Sequence, residues 1–116
     1  GQIAARCEDT SSDLGVIYFF GRGVNRNYKT AFKWFREAAS QKVVAAQYGL
    51  AFMYQNGLGV PKDHLRAYLW SSFAAEEGQL QAKEMLTKLN TSMTESQFVE
   101  AEGLVRGCRL KSFEGC

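Results

Sequence analysis

Apolar residues recur along this chain at three- and four-residue spacing, interrupted at regular intervals by glycine pairs and short polar caps. That spacing is the pattern of amphipathic helices. Leu14, Ile17 and Tyr18 predict a first helix over Ser11 to Phe20, and residues 1–9, which carry no strong pattern, fray or begin it. Gly21-Arg22-Gly23 ends the helix, because glycine accepts the left-handed backbone of a helix C-terminus. Asn27 stands at an N-cap position, and Ala31, Phe32, Phe35, Ala38 and Ala39 predict a second helix from Tyr28 to Ser40. The same grammar follows: a helix over Val43 to Asn56, the turn Gly57-Leu58-Gly59, Pro61 outside the helix, Asp63 as N-cap, and a helix from His64 to about Glu77, closed by Gly78. A fifth helix covers Gln79 to Leu89. Thr94-Glu95-Ser96-Gln97 is a capping box, with Met93 and Phe98 as its hydrophobic staple. The helix it opens carries Phe98, Ala101, Val105 and Cys108 on one stripe.

These helices come in copies. Leu14, Tyr18, Gly21, Gly23, Val24, Ala31, Trp34, Ala38, Ala39 and Ala46 are each identical to the residue 36 positions further on, ten of 33 compared. Chance matching at ordinary composition gives about two. A fixed period of this length predicts an all-α fold, a stacked helical solenoid of about two and a half helix-turn-helix repeats. Its boundaries read as an N-terminal segment 1–9, repeat 1 at 10–45, repeat 2 at 46–81, a partial repeat at 82–90, and a capping helix and tail at 91–116, in one domain. The amphipathic last helix is expected to cover the open face of the final repeat. Small residues at Gly15, Ala51, Ala31, Ala67, Ala38 and Ala74 let the helices approach, and Tyr18, Tyr54, Trp34 and Trp70 fill the space between repeats.

The run Leu-Gly-x-x-Tyr-x-x-Gly-x-Gly-Val, followed by Ala-x-x-Trp and Ala-Ala, resembles the Sel1-like repeat, a relative of the tetratricopeptide repeat with a longer loop between its helices. The resemblance covers about Thr10 to Leu89, and residues 91–109 resemble the Met-Thr-x-x-Gln helix that often closes bacterial members. Ala51 stands for the expected glycine, Asn27 for the usual aspartate cap, and Phe20 where asparagine is common. The resemblance implies a right-handed α-α superhelix with the first helix of each repeat lining a concave face, and a role as a non-enzymatic adaptor in bacterial envelope, secretion, signalling or host-interaction complexes. It brings no shared catalytic residues.

Carried position by position, the concave slots fall at Ser12, Val16 and Phe19, then Tyr48, Phe52, Gln55 and Asn56, then Gln81, Glu84 and Lys88. Val16, Phe19, Tyr48, Phe52, Gln55 and Lys88 are the residues expected to meet a partner, an extended peptide or an amphipathic helix. The competing reading is that terminal segments fold over the strip and make it core. Two other functions stand beside the adaptor: an inhibitor or immunity-type protein that blocks an enzyme through its convex side or tail, and a β-lactam-binding or hydrolysing enzyme, an activity associated with some cysteine-rich relatives. The enzyme needs a nucleophile beside a base, and neither Ser71-Ser72 nor any cysteine has one at sensible spacing. His64 reads as an exposed first-turn residue and Asp63 as a cap. The glycine turns follow helices and lack the lysine and serine or threonine of a phosphate loop, and repeat equivalence makes Trp34 and Trp70 packing residues and not a sugar platform. No metal site and no cofactor is expected.

A net charge of +2 with mixed signs gives no electrostatic case for nucleic acid or an anionic membrane. No apolar run approaches the roughly 18 residues of a membrane span. Gly1 to Asp9 lacks the apolar stretch of an uncleaved signal peptide, as in a mature or truncated form. Asn90-Thr91-Ser92 is a glycosylation acceptor pattern, of consequence only in a secreted eukaryotic protein. Of the three cysteines, Cys7, Cys108 and Cys116, the last two are the disulfide candidates; Cys108 alone also reads as a small buried apolar residue. The bridge would place the protein in an oxidising space, periplasmic or secreted, with the cytoplasm as the alternative. The odd count leaves a thiol over, through which two copies could join.

Overall fold

The computed structural model describes the backbone from Gln2 and the side chains from Ser11 to Cys116. Cys7, and with it the leftover thiol, lies outside the residues whose side chains are described. Six helices follow one another: α1 Gln2–Phe20, α2 Tyr28–Ser40, α3 Val44–Asn56, α4 His64–Glu76, α5 Leu80–Ser92 and α6 Glu95–Leu110. No strand occurs among the described residues. α1 and α2 form one antiparallel hairpin, α3 and α4 the next, and α5 stacks on α4, so α1, α3 and α5 form one layer of a solenoid.

The caps fix where helices begin. Asn27 Oδ1 accepts from the Thr30 amide at 3.0 Å, and Asp63 Oδ1 from the Arg66 amide at 3.1 Å. Thr94 Oγ1 accepts from the Gln97 amide at 3.1 Å while Gln97 Oε1 accepts from the Thr94 amide at 3.0 Å, the complete reciprocal box. Two helices are longer than the sequence pattern predicts. α1 begins at Gln2 and not at Ser11. α5 continues to Ser92, because Thr91 and Ser92 return their hydroxyls to the carbonyls of Lys88 and Leu89 and nothing breaks the helix before Met93 turns extended.

Packing between repeats centres on one ring. Phe35 of α2, only 6% exposed, lies against Gly15 of α1 and Gly49 of α3. A Cβ on Gly15 would stand 2.6 Å from Phe35 Cδ1, and one on Gly49 3.3 Å from Cδ2. The chain has room for the ring because Gly15 lacks a side chain, and Gly49 leaves it close but tolerable space on the other side. The equivalent positions 36 residues on are Ser71, Ala51 and Met85, so the second repeat exchanges bulk for smallness. Ser71 is fully buried and spends its hydroxyl on the Ala67 carbonyl at 2.6 Å. The turn after α2 shows a similar exchange: Lys42 takes the left-handed conformation (φ 68°) that Gly78 takes after α4 (φ 91°).

Two expectations are corrected. Trp70 is 1% exposed and packs on Phe73 and Phe113, whereas its repeat partner Trp34 stays half-buried and is no part of the core. No α6 counterpart lies over Trp34. The last helix, expected to cover the open face of the final repeat, lies instead along α4. Contacts advance together, from Tyr68 with Glu102 to Glu76 with Arg109, so α4 and α6 run parallel. The buried stripe Ala101, Val105 and Cys108 is narrow and fits beside the bulky Tyr68, Leu69 and Phe73 of α4. Phe98, at the staple position, sets its ring edge-on to Tyr68 at 5.8 Å.

Gly15→Ala is expected to destabilise the protein, because overpacking costs about 1–3 kcal/mol and outweighs the gain of about 0.5–1 kcal/mol from alanine in a helix. Gly103→Ala and Gly107→Ala in α6, where nothing lies near an added Cβ, should stabilise by that gain alone. Urea midpoints that move the same way in both helices would refute this account of Phe35. The α4–α6 seam predicts an alkaline transition. The Tyr68 phenol is pushed up to about 12 by burial first, then by its hydrogen bond to Glu102 and that carboxylate's charge. The unfolded phenol ionises near 10, so Tyr68 stabilises fully below pH 10 and loses this contribution between about pH 10 and 12. Unfolding free energies of wild type and Tyr68→Phe should converge across that window.

Candidate functional site

The layer formed by α1, α3 and α5 presents its outer side chains in register. Ser12, Tyr48 and Glu84 occupy one slot in the three successive copies, and Val16, Phe52 and Lys88 the next. Side chains at i and i+4 share a helix face, so each helix contributes a short column and adjacent columns form a groove.

Its first half is apolar. A hollow of about 340 Å³ lies between α1 and α3, lined by Ser12, Val16, Phe19, Phe20, Phe35, Ala45, Tyr48, Gly49 and Phe52. Phe19 is its pivot, with ring centroids 6.0 Å from Phe52, 6.3 Å from Phe35 and 5.3 Å from Tyr28. Phe20 is 60% exposed at the rim, with the Arg22 guanidinium 5.1 Å from its ring centre.

The second half is polar. A hollow of about 310 Å³ between α3 and α5 is lined by Tyr48, Phe52, Gln55, Asn56, Gln81, Glu84, Met85 and Lys88. Tyr48 and Phe52, ring centroids 6.4 Å apart, are the wall common to both hollows. Burial, then the charge of Glu84, raises the Tyr48 phenol above its ordinary value. Gln55 Oε1 is buried and accepts no hydrogen bond, while Asn56 Nδ2 donates to the Phe52 carbonyl at 2.9 Å.

All six residues expected to meet a partner therefore lie on this groove. Val16, Phe19, Tyr48 and Phe52 surround the apolar hollow, and Gln55 and Lys88 sit in the polar one with Tyr48 and Phe52. Sequence reasoning missed Phe35, Gly49, Phe20, Ala45 and Met85. Phe35 escaped because concave slots were sought only on the first helix of each repeat. The glycines facing it were the available signal, since a ring passes between helices where both lack a side chain.

The tail lies elsewhere. Cys108 and Cys116 are drawn together, Cα atoms 5.8 Å apart, with their sulfurs at bonding distance. The loop between them sets Phe113 against Phe73 (4.5 Å) and Trp70 (6.3 Å) of α4, with Lys42 Nζ 5.8 Å from the Phe113 ring centre. Phe113 divides two further hollows, one reaching Lys33 and Arg36, the other Gln47 and Glu76. His64 is exposed at the first position of α4, and Asp63, besides its cap, pairs with Arg66 at 3.2 Å. Among the described residues no group of three or more His, Cys, Asp or Glu side chains is placed to hold a metal ion, and no helix is long and apolar enough to cross a membrane.

Comparison with known proteins gives a consistent result. The Sel1 repeat profile matches residues 12–43 and 44–79. Chitin synthase regulatory factor 3 of Schizosaccharomyces pombe is 34% identical over 100 residues, a stretch covering 81% of this chain and 11% of that protein. Among solved structures, a protective antigen present in uropathogenic Escherichia coli strains, displaying an SLR fold, superposes with a TM-score of 0.84 at 28% identity, over 91% of this chain and 24% of that one. A Sel1 repeat protein from Oxalobacter formigenes gives a TM-score of 0.67 at 37% identity, over 70% of this chain and 61% of that one. The chain thus spans about a tenth of the curated relative's length and a quarter of the antigen's.

Proposed function

The chain belongs to the Sel1 repeat family, and from that premise we propose that it is a non-enzymatic protein–protein interaction module that holds an amphipathic segment of another protein in its concave groove. The observation that carries this reading is the aromatic hollow between α1 and α3, with Phe19, Tyr48 and Phe52 open on the outer side of the helical layer. Water bounds these rings poorly, and aromatic anchors commonly dominate the energetics of such contacts. Relatives that regulate chitin synthase or form part of a ubiquitin ligase work on or within larger protein assemblies, which supports an adaptor role.

For the compartment we propose an oxidising one, periplasmic or secreted. The pairing of Cys108 with Cys116 supports it, as such bridges form and persist in oxidising spaces and are rare in a reducing cytoplasm. The likeness to a bacterial protective antigen agrees with an envelope or host-interaction setting. The tail's position on α4 favours no inhibitory role, since its aromatic side chain is occupied within the chain.

Peptides selected from a random displayed library on the folded protein should carry bulky apolar residues, and Tyr48→Ala or Phe52→Ala should weaken the best of them by about tenfold or more. Peptides that bind both variants as tightly as wild type would rule out the groove. Mass measurement after thiol alkylation, on protein from its native compartment, should find Cys108 and Cys116 blocked and two daltons missing until reduction; free thiols at both positions would move the protein to the cytoplasm.

A further inference from the structure

We propose that the groove selects a segment that carries a bulky apolar side chain and a basic one close by, the apolar group seated between α1 and α3 and the cation against Tyr48 and Glu84. The inference rests on the concave-groove reading and adds the chemistry of the partner.

The two hollows differ in what they lack. The apolar one is walled by rings and needs only surface to bury. The polar one holds two acceptors with no described partner: Gln55 Oε1 is buried with no hydrogen bond, and the exposed Glu84 carboxylate is in neither of the described ion pairs, Arg66 with Asp63 and Arg109 with Glu76. Glu84 is close enough to Tyr48 for its charge to act on the phenol. An exposed carboxylate beside an aromatic wall is a seat for a guanidinium or ammonium, which gains from the ring face as well as from the charge. The hollow's own cation, Lys88, lies one turn further along α5, level with Phe52 and not with Tyr48.

Tyr48 and Phe52 of α3 line both hollows, so a single segment laid across this wall reaches the apolar hollow on one side and the Glu84 side on the other.

The test uses three blocked tripeptides, acetyl-Phe-Gly-Arg-amide, acetyl-Phe-Gly-Gln-amide and acetyl-Phe-Gly-Glu-amide, titrated into isotopically labelled protein and followed by amide chemical shifts. The arginine peptide is expected to shift amides around Phe19, Tyr48 and Glu84 and to bind about three- to tenfold more tightly than the glutamine peptide. Glu84→Gln should abolish that preference and leave the glutamine peptide's affinity unchanged. Equal affinities for arginine and glutamine peptides, with shifts confined to the apolar hollow, overturn the basic specificity and keep the groove. Tightest binding of the glutamate peptide overturns it in favour of Lys88. If none of the three moves a groove amide while the spectrum remains that of a folded protein, the groove reading fails and this inference with it.

Discussion

The Phe35 ring, held between two residues that have no side chains, is the contact on which the rest depends. It is contributed by the second helix of one repeat yet touches the first helix of its own repeat and of the next. One side chain therefore sets both the spacing within the hairpin and the spacing between hairpins. Close packing makes such a contact sensitive to a single methyl group. The same ring forms the floor of the apolar hollow, so the distance between α1 and α3 and the size of the groove are a single quantity.

The second repeat meets the same geometric demand by other means. A serine with an internally satisfied hydroxyl stands where the ring was, and a methionine stands where glycine was. Identity across the 36-residue period is therefore a poor guide to packing. What the two copies vary is the helix that supplies the bulk, α2 through Phe35 in the first and α5 through Met85 in the second. The groove varies too: rings line its first half, whereas Glu84 and Lys88 of α5 make the second half charged.

Much of this was legible in the sequence, because it is local. Caps at Asn27, Asp63 and Thr94 satisfy amides three residues away, and the period places Ser12, Tyr48 and Glu84 in one slot without reference to any distant contact. What was not legible depends on pairings that periodicity does not encode. The stripe Ala101, Val105 and Cys108 announces an amphipathic helix but does not say whether α4 or α5 receives it. That choice depends on the aromatic surface α4 turns outward through Tyr68 and Phe73. For the same reason Trp34 and Trp70, identical by period, differ in burial: only the second has a tail folded over it. Phe35 was hidden because its role depends on two absences, at Gly15 and Gly49, and a hydrophobic pattern records side chains that are present.

The parallel seating of α6 on α4 has a consequence for how the chain is made. Every other major interface joins helices adjacent in sequence and can close as soon as the second helix has been synthesised. α4 is the exception: Tyr68 waits for Phe98 of α6, and Trp70 and Phe73 wait for Phe113 beyond it. In that interval the nascent chain displays uncovered aromatic rings, so this helix is where a chaperone would engage the growing chain and where a polypeptide cut short before Phe113 would adhere to its neighbours.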